Sequence, residues 1–462
     1  SWTPLTDHLT TLDVLAASIS PHNNQTYFIG TDKGIYKSID GGSNWDKITS
    51  TKTVRVKPDP NDSSIVMACG TYGIFRSING GNSFSTVSNE YSLDLEYHPT
   101  NSDIIYASGR IFLKSTNNGL SFTEIEGPSG TYSRLAVSEA EPNSVWLTTT
   151  DGNEFDNLYK SINSGTSFTS IHTSTTDYFE GYGWYGIDIA VSNQNPDLIY
   201  TGGMELYRST DGGNNFSLYV PWTYSSAGAK YIHADIHSLE WAHGTLYTGT
   251  DGGISVGRNS ESSFTDLSIG LNTRQFYLID ISETDPTKIL GGAQDNGTVS
   301  TYGTNYNWQE WLGADGMDGY VSRFNSNNQV GTSQNGGLYK TTNGGLSRSY
   351  VEEEEGNWVT PVCEDPEDAA YRRLDQELGI SVPLTYLYKF EYHARYQDIG
   401  SEHELCWVWV GFAEAQDISP NINEVANWQF FSKEELDKEL SENPDIYTPW
   451  MKMEYERIFK DH

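Results

Sequence analysis

The sequence predicts a mainly β fold. A propeller of seven or eight blades is expected over residues 1–348, followed by a small, incomplete α+β unit. Three observations predict it. A turn motif recurs every 38–48 residues. Short strands of period 2 lie between its copies. Composition then changes near residue 350, where an acidic run begins.

The turn motif comes first along the chain. An aromatic or Leu and a basic residue precede Ser. Asx follows two on, Gly two further, and an aromatic three beyond. The first copy uses Ser38, Asp40, Gly42 and Trp45. The second uses Ser77, Asn79, Gly81 and Phe84, and the third Ser115, Asn117, Gly119 and Phe122. The fourth uses Ser161, Asn163, Gly165 and Phe168, and the fifth Ser209, Asp211, Gly213 and Phe216. A sixth starts at Thr341, Asn343 and Gly345, but Arg348 stands where the aromatic is expected. Degenerate copies fall near 255–264 and 300–308. In each, Asx caps backbone N–H groups, Gly supplies positive φ, and the ring anchors the turn. The Asx positions Asp40, Asn79, Asn117, Asn163 and Asp211 are therefore expected to be structural. Strands such as Ile104–Ala107 and Leu198–Thr201 precede the boxes. A repeat of this length holds four strands, which is one blade.

Composition bounds the function. The 462 residues carry 62 Asp+Glu against 28 Lys+Arg, a net charge of -34. Gly 44, Tyr 30 and Trp 13 exclude a disordered chain. The acidic balance opposes nucleic acid and anionic membranes, which bind Lys and Arg. No apolar run of about 18 residues is present, so no membrane span is expected. Three cysteines, Cys69, Cys363 and Cys406, make no disulfide framework and no Cys-rich zinc site. The chain opens at Ser1 without Met or a signal sequence, which reads as processing, trimming or a fragment.

The boxes resemble those of the Asp-box (BNR-repeat) propellers, a superfamily of sialidases, xyloglucanase-type glycosidases and sortilin-like receptors. His233–Leu239, Gly291–Gly297 and Gln334–Tyr339 are similar to the secreted, sortilin-type repeat proteins of glycosyl hydrolase-like sequence. The resemblance implies a secreted or cell-surface protein with a glycan or protein ligand at the propeller face, expected as a monomer. It does not by itself imply activity.

A glycosidase needs two carboxylates across a cleft. The channel candidates are Asp235, Asp251, Asp295 and Asp315, each beside Gly or His; the competing reading makes Asp251 and Asp315 hairpin residues. A sialidase needs an arginine cluster, and several of the few arginines here, including Arg76 and Arg208, belong to the boxes themselves. His233, Asp235 and His237 have the i, i+2, i+4 spacing that would share one face of a strand and suit a metal. Tyr182, Trp184, Tyr185, Trp222 and Tyr224 lie between boxes. They are either sugar- or partner-stacking rings or inter-blade core.

Residues 351–462 carry 26 acidic and 9 basic side chains, a density the first 350 residues lack. The run Glu352–Glu355 reads as a linker over 349–356. Asp365-Pro366 opens a helix to about Leu378, which Gly379 ends. Strands are expected at 384–394, 404–413 and 428–431. Ser432-Lys433-Glu434-Glu435 is a capping box, and Thr448-Pro449-Trp450 opens the last helix.

Glu364, Arg372, Leu374, Glu377, Gly379 and Ile380 fit much of the Nudix box. Arg373 and Gln376 replace acidic members, as in type I isopentenyl-diphosphate isomerases. Tyr388–Ala394, Glu402–Cys406, Trp428 and Thr448–Met451 also resemble that isomerase, in the same order over 357–462. The resemblance implies roles. Glu404 is acid/base and metal ligand, Glu402 a ligand, Tyr392 its support, and Trp450 the ring beside a carbocation. Glu377 binds magnesium near a diphosphate, so Mg²⁺ or Zn²⁺ is implied if the tail functions. Cys363 matches the catalytic cysteine if Trp358 sets the alignment, and a glycine if the helix does. The His-Pro stretch that precedes the Nudix glutamate is missing, and so is the half that supplies further histidines. The isomerase is cytoplasmic and the propeller secreted, and secretion is favoured. The expected protein is therefore a propeller binding module with a truncated, inactive tail. The alternatives are isopentenyl-diphosphate isomerase and a propeller-type glycoside hydrolase.

Overall fold

The computed structural model describes all residues except 1, 12, 224–229, 258–262, 272–273, 303–306, 354–357, 361, 363–365, 397–399, 415–417, 424, 426 and 461–462. Eight four-stranded antiparallel sheets follow one another, each a simple up-and-down meander. The first holds Val14–Ile19, Tyr27–Thr31, Gly34–Ser38 and Asp46–Lys47. The first strands of the next seven start at Arg55, Ser92, Ser133, Asp188, Ile236, Phe276 and Gly316. The chain divides into two units, Ser1–Thr273 with six sheets and Arg274–His462 with two sheets and the C-terminal segment.

Within each unit the core lies between consecutive sheets. Phe28 and Ile35 of the first sheet meet Val56 and Val66 of the second. Tyr106 and Phe112 of the third meet Leu135 and Val145 of the fourth. Leu290 and Trp311 of the seventh meet Val321 of the eighth. Burying a side chain of this size is worth about 2 kcal/mol, so the stacking of blades carries much of the stability.

The turn motif is built as its residue types require. Ser38 Oγ donates to Asp40 Oδ1 (2.9 Å) and accepts from Gly42 N (2.9 Å), while Asp40 Oδ1 accepts from Asn44 N (2.9 Å). The same three bonds recur from Ser77, Ser115, Ser161 and Ser209. A glycine is required at Gly81, because its φ is +82° and a Cβ there would lie 2.3 Å from the Phe28 ring. The anchoring rings enter the inter-sheet cores, as Phe168 does at 4.6 Å from Phe112.

Asn and Asp close the turn with different side-chain bonds. Asn79 Oδ1 caps two backbone groups, Asn82 N (3.1 Å) and Ser83 N (3.0 Å). Asn163 Oδ1 does the same for Thr166 N (3.1 Å) and Ser167 N (3.0 Å). Their amides also donate, Asn79 Nδ2 to Ser83 Oγ (2.9 Å) and Asn163 Nδ2 to Ser167 Oγ (2.8 Å). Asn117 Nδ2 donates likewise to Ser121 Oγ (2.9 Å). Asp40 and Asp211 have no such donor and instead accept a side-chain amide, from Asn44 and Asn215 (2.7 Å each). The reason is chemical: an amide offers N–H groups to a following serine, and a carboxylate needs a following asparagine. Asn79 and Asn163 are exposed, so they hold the turn through hydrogen bonds and add nothing to the buried core.

The sixth motif copy also departs from expectation. It is not broken at Arg348. Thr341 Oγ1 and Asn343 make the same three bonds, and Arg348 Nη1 donates to Trp311 O (2.6 Å) in place of a packed ring. Ser349–Glu353 is then the fourth strand of the eighth sheet, with Leu338 opposite Glu352. The blade is complete, the sheet runs past 348, and Glu352 and Glu353 belong to a strand rather than a linker. Of the degenerate copies, 258–262 and 303–306 lie outside the described residues.

One further bond repeats. In the first unit, Asp94 and Asp188 on innermost strands accept through Oδ2 from Leu135 N (2.9 Å) and Leu239 N (2.7 Å) on the next innermost strand. In the second unit, Asp280 accepts from Val321 N (2.7 Å), and Asp318 accepts from Val362 N (2.7 Å). Thr332 Oγ1 also donates to Thr360 O (3.1 Å), and Asn335 N to Trp358 O (3.4 Å). The segment around 358–362 thus lies against the eighth sheet where a following innermost strand would start.

The C-terminal segment contains α1 (Pro366–Leu378), a two-stranded ribbon of Leu384–Tyr396 with Gly400–Gly411, α2 (Lys433–Glu442) and α3 (Pro449–Lys460). Gly379 ends α1 at φ +67°, and Leu378 O accepts from Ser419 N (2.8 Å). The Ser432–Glu435 capping box is present. Residues 428–431 are not a strand; Trp428 packs edge-on against Phe430 instead, at 5.2 Å. Phe390 and Val408 are buried with Ile458 of α3 against them, which covers one face of the ribbon, while Trp407 stays exposed. Among the described residues no helix is long and apolar enough to cross a membrane.

Candidate functional site

In a four-stranded meander, the 2–3 hairpin and the link to the next sheet fall at one end. The 3–4 turn falls at the other. The motif turns are 3–4 turns. The loop acids singled out in the sequence are therefore at the opposite end of their sheets: Asp251 in the 2–3 hairpin of the sixth sheet and Asp235 in the link leading into it.

In the first unit this end carries a bonded cluster. Asp251 accepts from His237 Nε2 through Oδ1 (2.6 Å) and from Tyr185 OH through Oδ2 (2.8 Å). The Tyr185 ring stands edge-on to His237 at 4.7 Å, with Trp184 5.3 Å further on. The hydrogen bond to Asp251 raises the His237 pKa above its ordinary value, against the effect of burial. Tyr182, Trp184, Tyr185 and Trp222 are all exposed, Trp184 by 58 %. The ambiguity over these rings resolves towards the surface and away from the inter-blade core; Tyr224 lies outside the described residues.

The three-residue metal spacing is not realised on a strand. The sixth sheet starts at Ile236, Asp235 has φ +62°, and the ladder shifts register between Ile236 and Ser238. His233 Nδ1 turns to Ala234 O (3.1 Å) while His237 faces Asp251. In the second unit, Asp315 Oδ1 accepts from Asp295 N (2.8 Å) and Asp315 N donates to Gln334 Oε1 (3.2 Å). The Asp315 carboxylate works there as a turn cap.

Two arrangements were not legible in the sequence. Glu205, in the 2–3 hairpin of the fifth sheet, accepts from Trp222 N (3.3 Å) and Tyr207 OH (3.2 Å). Burial, then Glu205, pushes Glu180 up to about 7. Gly203 is closely packed: a Cβ there would lie 2.8 Å from Gly186 O and 3.3 Å from Phe179 Cα. The second arrangement lines the innermost strands of the first unit. Arg55 Nε donates to Asp94 Oδ1 (2.9 Å), Lys57 pairs with Glu96, and Arg134 and Asp188 interact with both Arg55 and Asp94. Burial raises Asp188 to about 6 and Glu96 to about 7. Arg55 and Arg134 thus converge on the acids Asp94 and Asp188.

In the C-terminal segment, Cys363 lies outside the described residues, and the side chains of Tyr392, Glu402, Glu404 and Trp450 are likewise outside them. The ladder sets Tyr392 opposite Glu404, Ala394 opposite Glu402, and His393 opposite His403. With a period of 2, positions 402 and 404 share one face and the histidine pair occupies the other. Glu377 accepts from Arg373 Nε at 2.7 Å.

Comparison with known proteins agrees with this division. The C-terminal residues 362–451 match the NUDIX domain model. Isopentenyl-diphosphate Delta-isomerase 1 of Photorhabdus laumondii is 34 % identical over 115 residues, 23 % of this chain and 65 % of that protein. The isopentenyl-diphosphate Delta-isomerase of Dinoroseobacter shibae is 35 % identical over 123 residues, 22 % and 66 % of the two chains. The chain spans just under two thirds of the length of these curated relatives. Among solved structures, the GH74 enzyme of Niastella koreensis superposes with a TM-score of 0.56 at 16 % identity, over 75 % of this chain and 60 % of that one. The GH74 xyloglucanase of Xanthomonas campestris gives 0.55 at 15 %, over 78 % and 64 %. At this identity the likeness shows the fold. The chain is a β-propeller protein with a C-terminal Nudix segment similar to isopentenyl-diphosphate isomerases.

Proposed function

We propose that the propeller is a secreted or surface binding module for a neutral glycan, and that the C-terminal segment does not isomerise isopentenyl diphosphate. The carrying observation for the first part is the exposed Tyr182–Trp184–Tyr185 loop tied to Asp251 and His237. Aromatic faces stack on the C–H faces of sugar rings, and a carboxylate held by two donors is a pre-aimed acceptor for hydroxyls. A net charge of -34 opposes anionic ligands. Xyloglucan is the probe, taken from the structural neighbour. Trp184→Ala weakens its binding about tenfold, or 1.4 kcal/mol, by calorimetry. A wild type that binds no neutral polysaccharide sinks the reading.

For the second part, what supports inactivity is the position of Val362, held on the propeller sheet by Asp318. The residues before it are committed to that sheet and cannot supply the missing half of an isomerase. Purified chain given isopentenyl diphosphate and Mg²⁺ is expected to show no turnover. Turnover abolished by Glu404→Gln would restore the isomerase.

A further inference from the structure

At the motif end of the first unit, opposite the Tyr182–Tyr185 loop, a cavity of about 220 Å³ opens between the third and fourth sheets. It lies where the outermost strand of the third sheet, Thr123–Ser129, bulges from the ladder: register shifts between Ile111 and Leu113, which face Ser129 and Glu124. Ile125 sits in that bulge, half-buried against the core of Tyr106 and Phe112, and gives the cavity an apolar wall. The polar walls are Lys114, Thr116, Ser121 and Thr123 of the third sheet and its turn, and Thr166 of the fourth turn. Lys114 Nζ donates one of its three protons to Thr166 Oγ1 (2.9 Å). No carboxylate pairs with Lys114 among the described residues, and burial lowers its pKa. Lys160, at the same place before the fourth motif's serine, is paired instead with Glu141 at 2.8 Å. The Thr116 and Thr123 hydroxyls bond to no protein group among the described residues, while those of Ser121 and Thr166 accept a bond and donate none.

We propose that this cavity is an oxyanion site, and that its ligand is the carboxylate of a single sugar acid or a free ion of the same chemistry. Two ammonium protons and four hydroxyl protons are left to line it, and no negatively charged side chain does. Such a donor set is satisfied by a ligand that brings acceptors and negative charge, because a hydrogen bond to an ionised partner is about twice as strong as a neutral one. The volume equals that of about seven waters, so an oxyanion on Lys114 leaves room for a ring to lie against Ile125. The net charge of -34 acts on the ligand from a distance and is screened beyond about 8 Å at physiological salt. Contact with Lys114 is short-range, so the local donors decide. The site shares no residue with the glycan surface at the opposite end and does not depend on it.

The test is an NMR titration of the full chain with glucuronate, glucose and inorganic phosphate. Glucuronate is expected to shift residues 114–125 and 166 saturably, leaving the Tyr182–Tyr185 loop in place. It is expected to bind at least about tenfold tighter than glucose, the difference one charge-assisted hydrogen bond makes. Lys114→Met keeps the apolar stem, removes the charge, and is expected to abolish that preference. Phosphate binding tighter than glucuronate also supports the oxyanion site and assigns it to a free ion. Glucose matching glucuronate, a preference that survives Lys114→Met, or no saturable shift with either anion overturns the proposal. Should Lys114→Met fail to fold, Thr123→Val removes only a hydroxyl without a protein partner. It is expected to weaken glucuronate about fivefold, as the loss of one neutral hydrogen bond does, and unchanged affinity there overturns the proposal equally.

Discussion

Removing the Asp318 carboxylate tests where the propeller ends. Asp318 Oδ1 accepts from Gly319 N at 2.8 Å and Oδ2 from Val362 N at 2.7 Å. A hydrogen bond to a charged acceptor is worth about 1.5–3 kcal/mol, and both residues are half-buried, so about 2 kcal/mol is expected for Asp318→Ala. That corresponds to roughly 30-fold in a local opening equilibrium. Hydrogen exchange read by mass spectrometry gives the opening directly. Val362 N–H should exchange about 30-fold faster in Asp318→Ala, while Val321 N–H, held by Asp280, should not change. Asp280→Ala should reverse the pattern. The consequence is functional. If Val362 is part of the blade, the isomerase-like segment starts after it, and the Trp358-to-Cys363 spacing is a coincidence of the join rather than the isomerase's own. Val362 exchanging at an unprotected rate in the wild-type protein would refute the repeated latch.

Other consequences follow from the same geometry. Ser77→Ala removes the acceptor of Gly81 N from a buried turn and should cost about 1–2 kcal/mol in denaturant unfolding, leaving xyloglucan affinity of the folded protein intact. Gly81→Ala should cost more, because its Cβ has no place beside Phe28. The His237 ring should titrate above its ordinary value by NMR, and Asp251→Asn should bring it down. The stabilisation from this pair is present at low pH and is lost as pH rises through the raised His237 pKa. Titration of His237 unchanged in Asp251→Asn would show that the pair does not set it.

The motif periodicity by itself determined the propeller, because each Ser-x-Asx-x-Gly turn is closed by bonds between near neighbours and needs no distant partner. For the same local reason the Ser432–Glu435 cap and the Gly379 stop were legible, and the C-terminal similarity was carried by contiguous residues from Glu364 to Ile380. The division of labour within the motif was less plain: Asn79 and Asn163 read like Asp40, yet they donate to a serine where Asp40 accepts from an asparagine. The completeness of the eighth blade was not legible. Arg348 breaks the motif as text, but its guanidinium reaches Trp311, 37 residues away, and only the fold brings that carbonyl near. Likewise a row of loop acids is a uniform pattern in sequence. Tertiary structure sorts them: Asp315 caps a turn, and Asp251 is joined to His237 and Tyr185. The latch from Asp318 to Val362 spans 44 residues and depends on the stacking of one innermost strand on the next. Contacts of that range obey the geometry of the assembled blades, which no local pattern encodes.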